Sequence, residues 1–183
     1  MPFGNELFKV VNNWLGWGDP EKGLWFIGME EGATFDKNVL SRKGKQFDPV
    51  KIDEDLNWNV ANTTAKLVSK LLRHHNPSEY RDTTMWREGS RIFNGNLLPL
   101  GKPNRTDWPE QYNELFGFGY DDYSNNIENV KADRYNQFKK FREKMKPQAI
   151  VCFGKVFWPE FEKLFVQNPD KRMHYEEYGV VVY

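Results

Sequence analysis

Apolar residues along the chain fall into short, separated runs whose spacing alternates between the helical and the extended kind. Within residues 6–17, Leu7, Val10, Val11, Trp14 and Leu15 recur at helical spacing, and Gly16 and Gly18 close the pattern. The spacing predicts a helix ahead of a first strand. That strand is Leu24-Trp25-Phe26-Ile27, a continuous apolar run between Gly23 and Gly28, the form expected of a strand covered on both faces. The loop after it is Met29-Glu30-Glu31-Gly32. Residues 34–59 are polar and without sustained period, which reads as a long surface loop anchored at Val39, Phe47 and Ile52. A helix capped by Asn62 or Thr63 is expected to run to about His75, with Leu67, Val68, Leu71 and Leu72 facing inward, and Asn76-Pro77 to end it.

Residues 91–100 predict a second strand, weakened by Gly95 and closed by Pro99 and Gly101. Residues 103–129, rich in Asn, Asp, Tyr and Gly, read as an irregular excursion with at most one short helix near 109–116 and a mobile tail. Helical spacing returns over 130–145 through Tyr135, Phe138 and Phe141, until Pro147 breaks it. A strand at 149–153, a helix at 155–165 and a final strand at 179–183 complete the pattern. Strands that alternate with helices imply a parallel sheet with helices on both faces. The expected fold is therefore a three-layer α/β/α domain spanning 1–183, with a central, mostly parallel sheet built from 24–27, 92–98, 149–153 and 179–182.

Composition narrows the chemistry. A chain of 183 residues is long enough to bury one core without disulfides or structural metal. Its single cysteine, Cys152, lies inside an apolar run, which excludes a disulfide framework and a four-cysteine zinc or iron–sulfur site. No apolar stretch approaches the roughly 20 residues that span a bilayer, and no basic-then-apolar leader opens the chain, so a cytoplasmic monomer away from membranes is expected. Lys plus Arg and Asp plus Glu both number 26, so there is no global basic field, and any DNA contact requires a local patch. The cluster Arg42, Lys43 and Lys45 is the candidate; a solvated loop surface is its bland reading. Aromatics reach 16%, with seven tryptophans, many in polar surroundings, where they either fill an irregular core or stack on flat ligands.

One ordered series of motifs stands out. A strand runs into Gly28-Met29-Glu30-Glu31-Gly32; Asn96-Leu97-Leu98-Pro99-Leu100-Gly101-Lys102-Pro103 follows; then a helix ends at Lys146-Pro147 before Ala149-Ile150-Val151-Cys152-Phe153-Gly154-Lys155. In order and spacing the series, over residues 23–183, resembles the uracil-DNA glycosylase superfamily. The resemblance implies that family's fold and an activity that needs neither metal nor redox cofactor, hydrolysis of the N-glycosidic bond of uracil or another deaminated or modified base in DNA. It implies that Glu30 takes the place of the acid or amide that orients water and faces the sugar cation. Gly28, Met29 and Gly32 would line the base, with Gly32 leaving room beside its C5 position, and Asn96 would read the pyrimidine edge, with Asn94 as the alternative. Phe47 is better spaced than Phe35 to stack on the base.

Two departures accompany the resemblance. Glu31 stands where the family loop usually has proline, and the expected His-Pro-Ser motif is absent after Val182-Tyr183. Truncation of a longer protein, or loss of the motif, accounts for that absence. His75-Asn76-Pro77-Ser78 has the right residue types but lies too early, and reads as a helix end. Taken on their own, Glu30 and Glu31 are either a solvated turn or a site at the carboxyl end of a strand, and Asn96 either reads a ligand or satisfies backbone at a strand end. Two other functions therefore stay open, a non-catalytic nucleobase- or nucleic-acid-binding module on the same fold and an unrelated nucleotide hydrolase using Glu30 and Glu31.

Overall fold

The computed structural model describes residues 3–30, 32, 59–102, 107–166, 173–175 and 180–182. Three parallel strands form its centre: β2, Leu24–Gly28; β3, Ile92–Asn96; and β4, Ala149–Cys152. Strand β1, Gly16–Gly18, adds to the β3 edge in the antiparallel sense, giving the order β1-β3-β2-β4 and a mixed, open four-stranded sheet. The parallel pairs arise because helices fill the connections. Helices α2, Asn59–Leu72, and α3, Pro77–Thr83, lie between β2 and β3, while α4, Gln111–Phe116, and α5, Tyr120–Met145, lie between β3 and β4. Helix α1, Glu6–Asn13, precedes the sheet, and α6, Trp158–Phe165, follows β4 through a 3-10 turn at Lys155–Phe157.

Alternation along β2 divides the core. Trp25 and Ile27 pack with Phe93, Tyr135 and Phe138 of α5, and Phe161 and Leu164 of α6. Phe26 points the other way, into a cluster with Ala61, Ala65 and Val68 of α2, Tyr80 of α3, and Met85, Trp86 and Ile92. A third cluster joins Phe8 and Val11 of α1 to Tyr112 and Phe116 of α4 and to Tyr123 and Val130 of α5.

Several elements differ from what the spacing predicts. Helix α1 ends at Asn13, and its closing glycines enter β1, where Gly16 lies opposite Gly95. A Cβ on Gly95 would sit 2.7 Å from the Leu15 carbonyl, so the glycine that weakens the sequence pattern is what allows this close approach. Asn62 lies inside α2 and not at its cap. Leu67, Leu71 and Leu72 are 38%, 61% and 52% exposed, whereas Ala61, Thr64, Ala65, Val68 and Ser69 are buried. The smaller residues win the inner face because they let the helix lie close to Phe26 and Trp86. Asn76 does not simply end α2; its side chain caps α3, accepting the Glu79 amide at 3.2 Å, with Pro77 opening the new helix.

Helix α5 is the largest departure, because it starts at Tyr120, inside what reads as an irregular excursion. Its first turn is fixed by Asp122, which accepts the Gly119 amide at 3.2 Å, and its last by Lys146 in the left-handed conformation. The final strand is also corrected. Val180–Val182 pairs antiparallel with Met173–Tyr175 in a separate two-stranded sheet and is not part of the central one. Strands so near in sequence pair locally without a crossover.

Candidate functional site

From β2 the chain passes through α2 and α3 to β3 on one side, then returns through α4 and α5 to β4 on the other. Strands β2 and β4 therefore flank a topological switch point, and open sheets of this kind hold ligands in the crevice beyond the carboxyl ends of such strands. A cavity of about 240 Å³ lies there, lined by Glu30 after β2, Lys102 after β3, Tyr123 and Ser124 of α5, and Phe157 and Glu160 after β4. Ligand pockets usually measure about 300–1,000 Å³, so this one suits a group the size of a single base.

Backbone pairing aims the first loop at the crevice. The Leu97 amide donates to the Gly28 carbonyl at 3.0 Å and the Leu98 amide to that of Met29 at 2.6 Å, which prolongs the β2–β3 ladder past both strands. Met29 is thereby buried in the core beside Leu98, and Glu30 emerges at the cavity. Lys102 arrives from the other strand. Leu98 and Leu100 bury the segment before it, and the Tyr112 hydroxyl of α4 donates to the Gly101 carbonyl. The Lys102 ammonium then stands 3.4 Å from a Glu30 carboxylate oxygen, with side-chain exposures of 8% and 16%. An ion pair this shielded from water has a strong local field and a high desolvation cost, which makes it unlike the surface pairs Lys9–Glu6 and Lys131–Glu128.

Tyr123 shares that field. Its phenol is pushed above the ordinary tyrosine value by burial first and by the Glu30 charge second, with Arg134 opposing, so it stays protonated. Its hydroxyl has no hydrogen-bond partner. Behind the site, Arg134 of α5 is 1% exposed and fastens four carbonyls: Leu97 at 3.0 Å, Asn12 at 2.7 Å, Trp14 at 2.9 Å, and Asn96. It ties the end of β3 to the end of α1 and so fixes the strand from which Lys102 departs.

Sequence-derived candidates meet this geometry unevenly. Glu30 and Met29 both line the cavity, and Gly28 and Asn96 are register partners at the ends of β2 and β3. A Cβ on Gly28 would lie 2.6 Å from Asn96 Oδ1, so the amide rests on the glycine and a larger residue there would require it to move. Asn96 is not among the residues lining the Glu30 cavity, and Asn94 lies within β3. Gly32 is exposed, with open space where a Cβ would stand. Phe35, Phe47, Arg42, Lys43, Lys45 and Glu31 lie outside the described residues. Asn76 caps α3 and Pro77 opens it, so the early His75-Asn76-Pro77-Ser78 segment joins α2 to α3.

Lys102, Tyr123 and Ser124 are missed by the sequence reading. Lys102 stands in the quoted motif without a role. For α5 a signal exists: Gly119 followed by Asp121 and Asp122 is a helix start, and Tyr123, Ile127, Val130 and Arg134 continue at helical spacing. Cys152, beside β2, is no nucleophile candidate, since burial pushes its thiol up to about 12.

The chain is thus an α/β protein with a charged crevice at the switch point of a mixed open sheet. No family model, no curated protein and no solved structure matches it. Among the described residues, no helix is long and apolar enough to cross a membrane, and no group of three or more His, Cys, Asp or Glu is placed to hold a metal ion.

Proposed function

We propose that this protein is a DNA glycosylase-like hydrolase that cleaves the N-glycosidic bond of uracil or another deaminated or modified base. The finer fold assignment, a uracil-DNA glycosylase-type three-layer domain, belongs to the same proposal. The observation that carries it is the shielded Glu30 carboxylate facing Lys102 in a base-sized crevice at the switch point. Glycosidic cleavage builds positive charge on the sugar while water attacks C1′. A carboxylate held there steadies that charge and takes the proton of the attacking water. The order of motifs along the chain supports the same reading, with Glu30 following the first parallel strand and Asn96 closing the next. DNA is the partner this activity requires, and a monomer working in the cytoplasm is the simplest setting for it.

A non-catalytic base-binding module on the same fold is the second reading. It is favoured by Asn96, which packs on Gly28 and does not line the cavity, and by the balance of 26 basic and 26 acidic residues. Oligonucleotides carrying uracil, hypoxanthine or xanthine separate the two. Wild type should release at least one of these bases, and Glu30→Gln should retain oligonucleotide binding while slowing release by about 100-fold or more, the size expected when a general base is lost. Equal rates would remove Glu30 from the chemistry. Binding with no release of any base by wild type would leave the binding module.

A further inference from the structure

We propose that Lys102 is a catalytic residue of this crevice, the group that takes up the negative charge forming on the departing base. The inference rests on the glycosylase reading and deepens it. When the C1′–N bond breaks, its electron pair goes to the base nitrogen and spreads onto the ring carbonyl oxygens, while the sugar becomes cationic. The water oxygen bonds to C1′ and its proton passes to Glu30; the base anion is then protonated from solvent. Charges of opposite sign thus develop at the two ends of one short bond, and a competent site presents a fixed anion to one end and a fixed cation to the other.

Glu30 and Lys102 supply that arrangement within one cavity, 3.4 Å apart. Before reaction each neutralises the other, which limits the cost of keeping both charges from water. As the bond breaks, the carboxylate faces the sugar cation and the ammonium faces the base anion, so the pair exchanges partners with little reorganisation. Lys131 also lines the cavity, but its side chain is 22% exposed, against 8% for Lys102, and its partner Glu128 is 81% exposed, against 16% for Glu30. Tyr123 is neutral, and its hydroxyl is closed off from solvent. Lys102 is therefore the cation in the cavity best placed for a charge that must act at short range. Its chain path is fixed by Tyr112 on Gly101 and by buried Leu100.

The test compares single-turnover release of uracil with that of 5-fluorouracil, a more acidic and thus easier leaving group, by the full chain. Lys102→Met should slow uracil release by about 100- to 1,000-fold, the range for removing one preorganised stabilising group, and slow 5-fluorouracil release about tenfold less. Lys102→Arg, which keeps the charge, should restore most of the rate, and Lys102→Gln should repeat the base dependence if the methionine variant does not fold. A purely structural lysine would slow both bases equally. Equal losses on the two bases, or no loss, would overturn the role of Lys102 while leaving the glycosylase reading intact. Failure of wild type to release uracil and 5-fluorouracil would overturn the role of Lys102, and failure to release hypoxanthine and xanthine as well would overturn the glycosylase reading with it.

Discussion

The two faces of the central sheet are closed in different ways. On the α2–α3 face, small helix residues, Ala61, Thr64, Ala65 and Ser69, let the helix settle on Phe26 and Trp86 of the layer beneath. On the α5–α6 face, large groups meet large groups: Trp25 and Phe93 of the sheet against Tyr135, Phe138 and Phe141 of α5. On this same side, at the strand ends, lie the buried guanidinium of Arg134 and the charged crevice. The side that carries a buried charge is also the side that can bind. A closely packed interior cannot admit a ligand without losing contacts, so the site belongs where apolar packing stops.

Arg134 offers the sharpest way to break that contrast. Its guanidinium is the donor for carbonyls of Asn12, Trp14, Asn96 and Leu97. Arg134→Met keeps the bulk but leaves these acceptors short of partners, and unsatisfied buried groups cost about 1–3 kcal/mol each before relaxation. We expect urea denaturation to show a loss of about 3–5 kcal/mol. A loss below about 1 kcal/mol would mean that the carbonyls find other donors and that the polar interior of this face is dispensable.

The opposite face, where no charged group is buried among the described residues, should respond chiefly to volume. Ala65 is 1% exposed against the Phe26 cluster, so Ala65→Leu inserts atoms where none fit. Overpacking of this kind costs about 1–3 kcal/mol. The same midpoint measurement checks it, and an unchanged or raised stability would show a gap between α2 and the sheet.

How far these faces are legible in the sequence follows from what each uses for its signal. Strands β2 and β4 are legible because each is an uninterrupted apolar run flanked by Gly or Pro, and α4 because its short span lies between clear breakers. Strand β3 is legible only from its apolar start at Ile92 and Phe93 and its closing Pro99 and Gly101, since Asn94, Gly95 and Asn96 interrupt it. The α2 face misleads because leucines are louder than alanines: Leu67, Leu71 and Leu72 fit helical spacing as well as the Ala61–Ala65–Val68 stripe that is buried. The first half of α5 is hidden by its polar content, because Asp121, Asp122, Ser124, Asn125, Asn126, Glu128 and Asn129 crowd its few apolar positions. The role of Arg134 further on is hidden because it is buried by hydrogen bonds that no hydropathy pattern records. At the site, Glu30 is legible from its place after an apolar strand. Lys102 is not, because its meaning comes from a contact made across 72 residues of chain.

Alkali should weaken the sheet by a smaller amount. Burial raises the Cys152 thiol from 9.0 to about 12, and the Tyr135 phenol rises from 10.0 to about 12, by burial first and nearby Glu160 and Glu128 second. For an acid whose folded value is raised, the unfolded chain loses its proton first, so stability is intact below pH 9.0 and is lost as pH climbs toward about 12. Cys152 alone should contribute a fall of about 1 kcal/mol by about pH 10. Melting temperatures of wild type and Cys152→Ala across that range check the sign: the wild-type curve should drop more steeply, and parallel curves would remove the thiol from the account.

Leu71 marks the smallest effect and probes the outer side of the closed face. It follows Leu67 by one helical step, so by spacing it belongs inside, yet it is 61% exposed while Val68 beside it is fully buried. If Ala61, Ala65 and Val68 define the inner stripe, Leu71→Lys exchanges one surface side chain for another and removes little apolar burial. Lysine also has good helix propensity and sits near the carboxyl end of α2, where positive charge is favourable. The expected change in unfolding free energy is within about 0.5 kcal/mol, as for surface substitutions generally. A loss above about 2 kcal/mol would require that the leucine stripe be covered in solution, and the contrast between a closed face and an open one would then have to be drawn with α2 rotated about its axis.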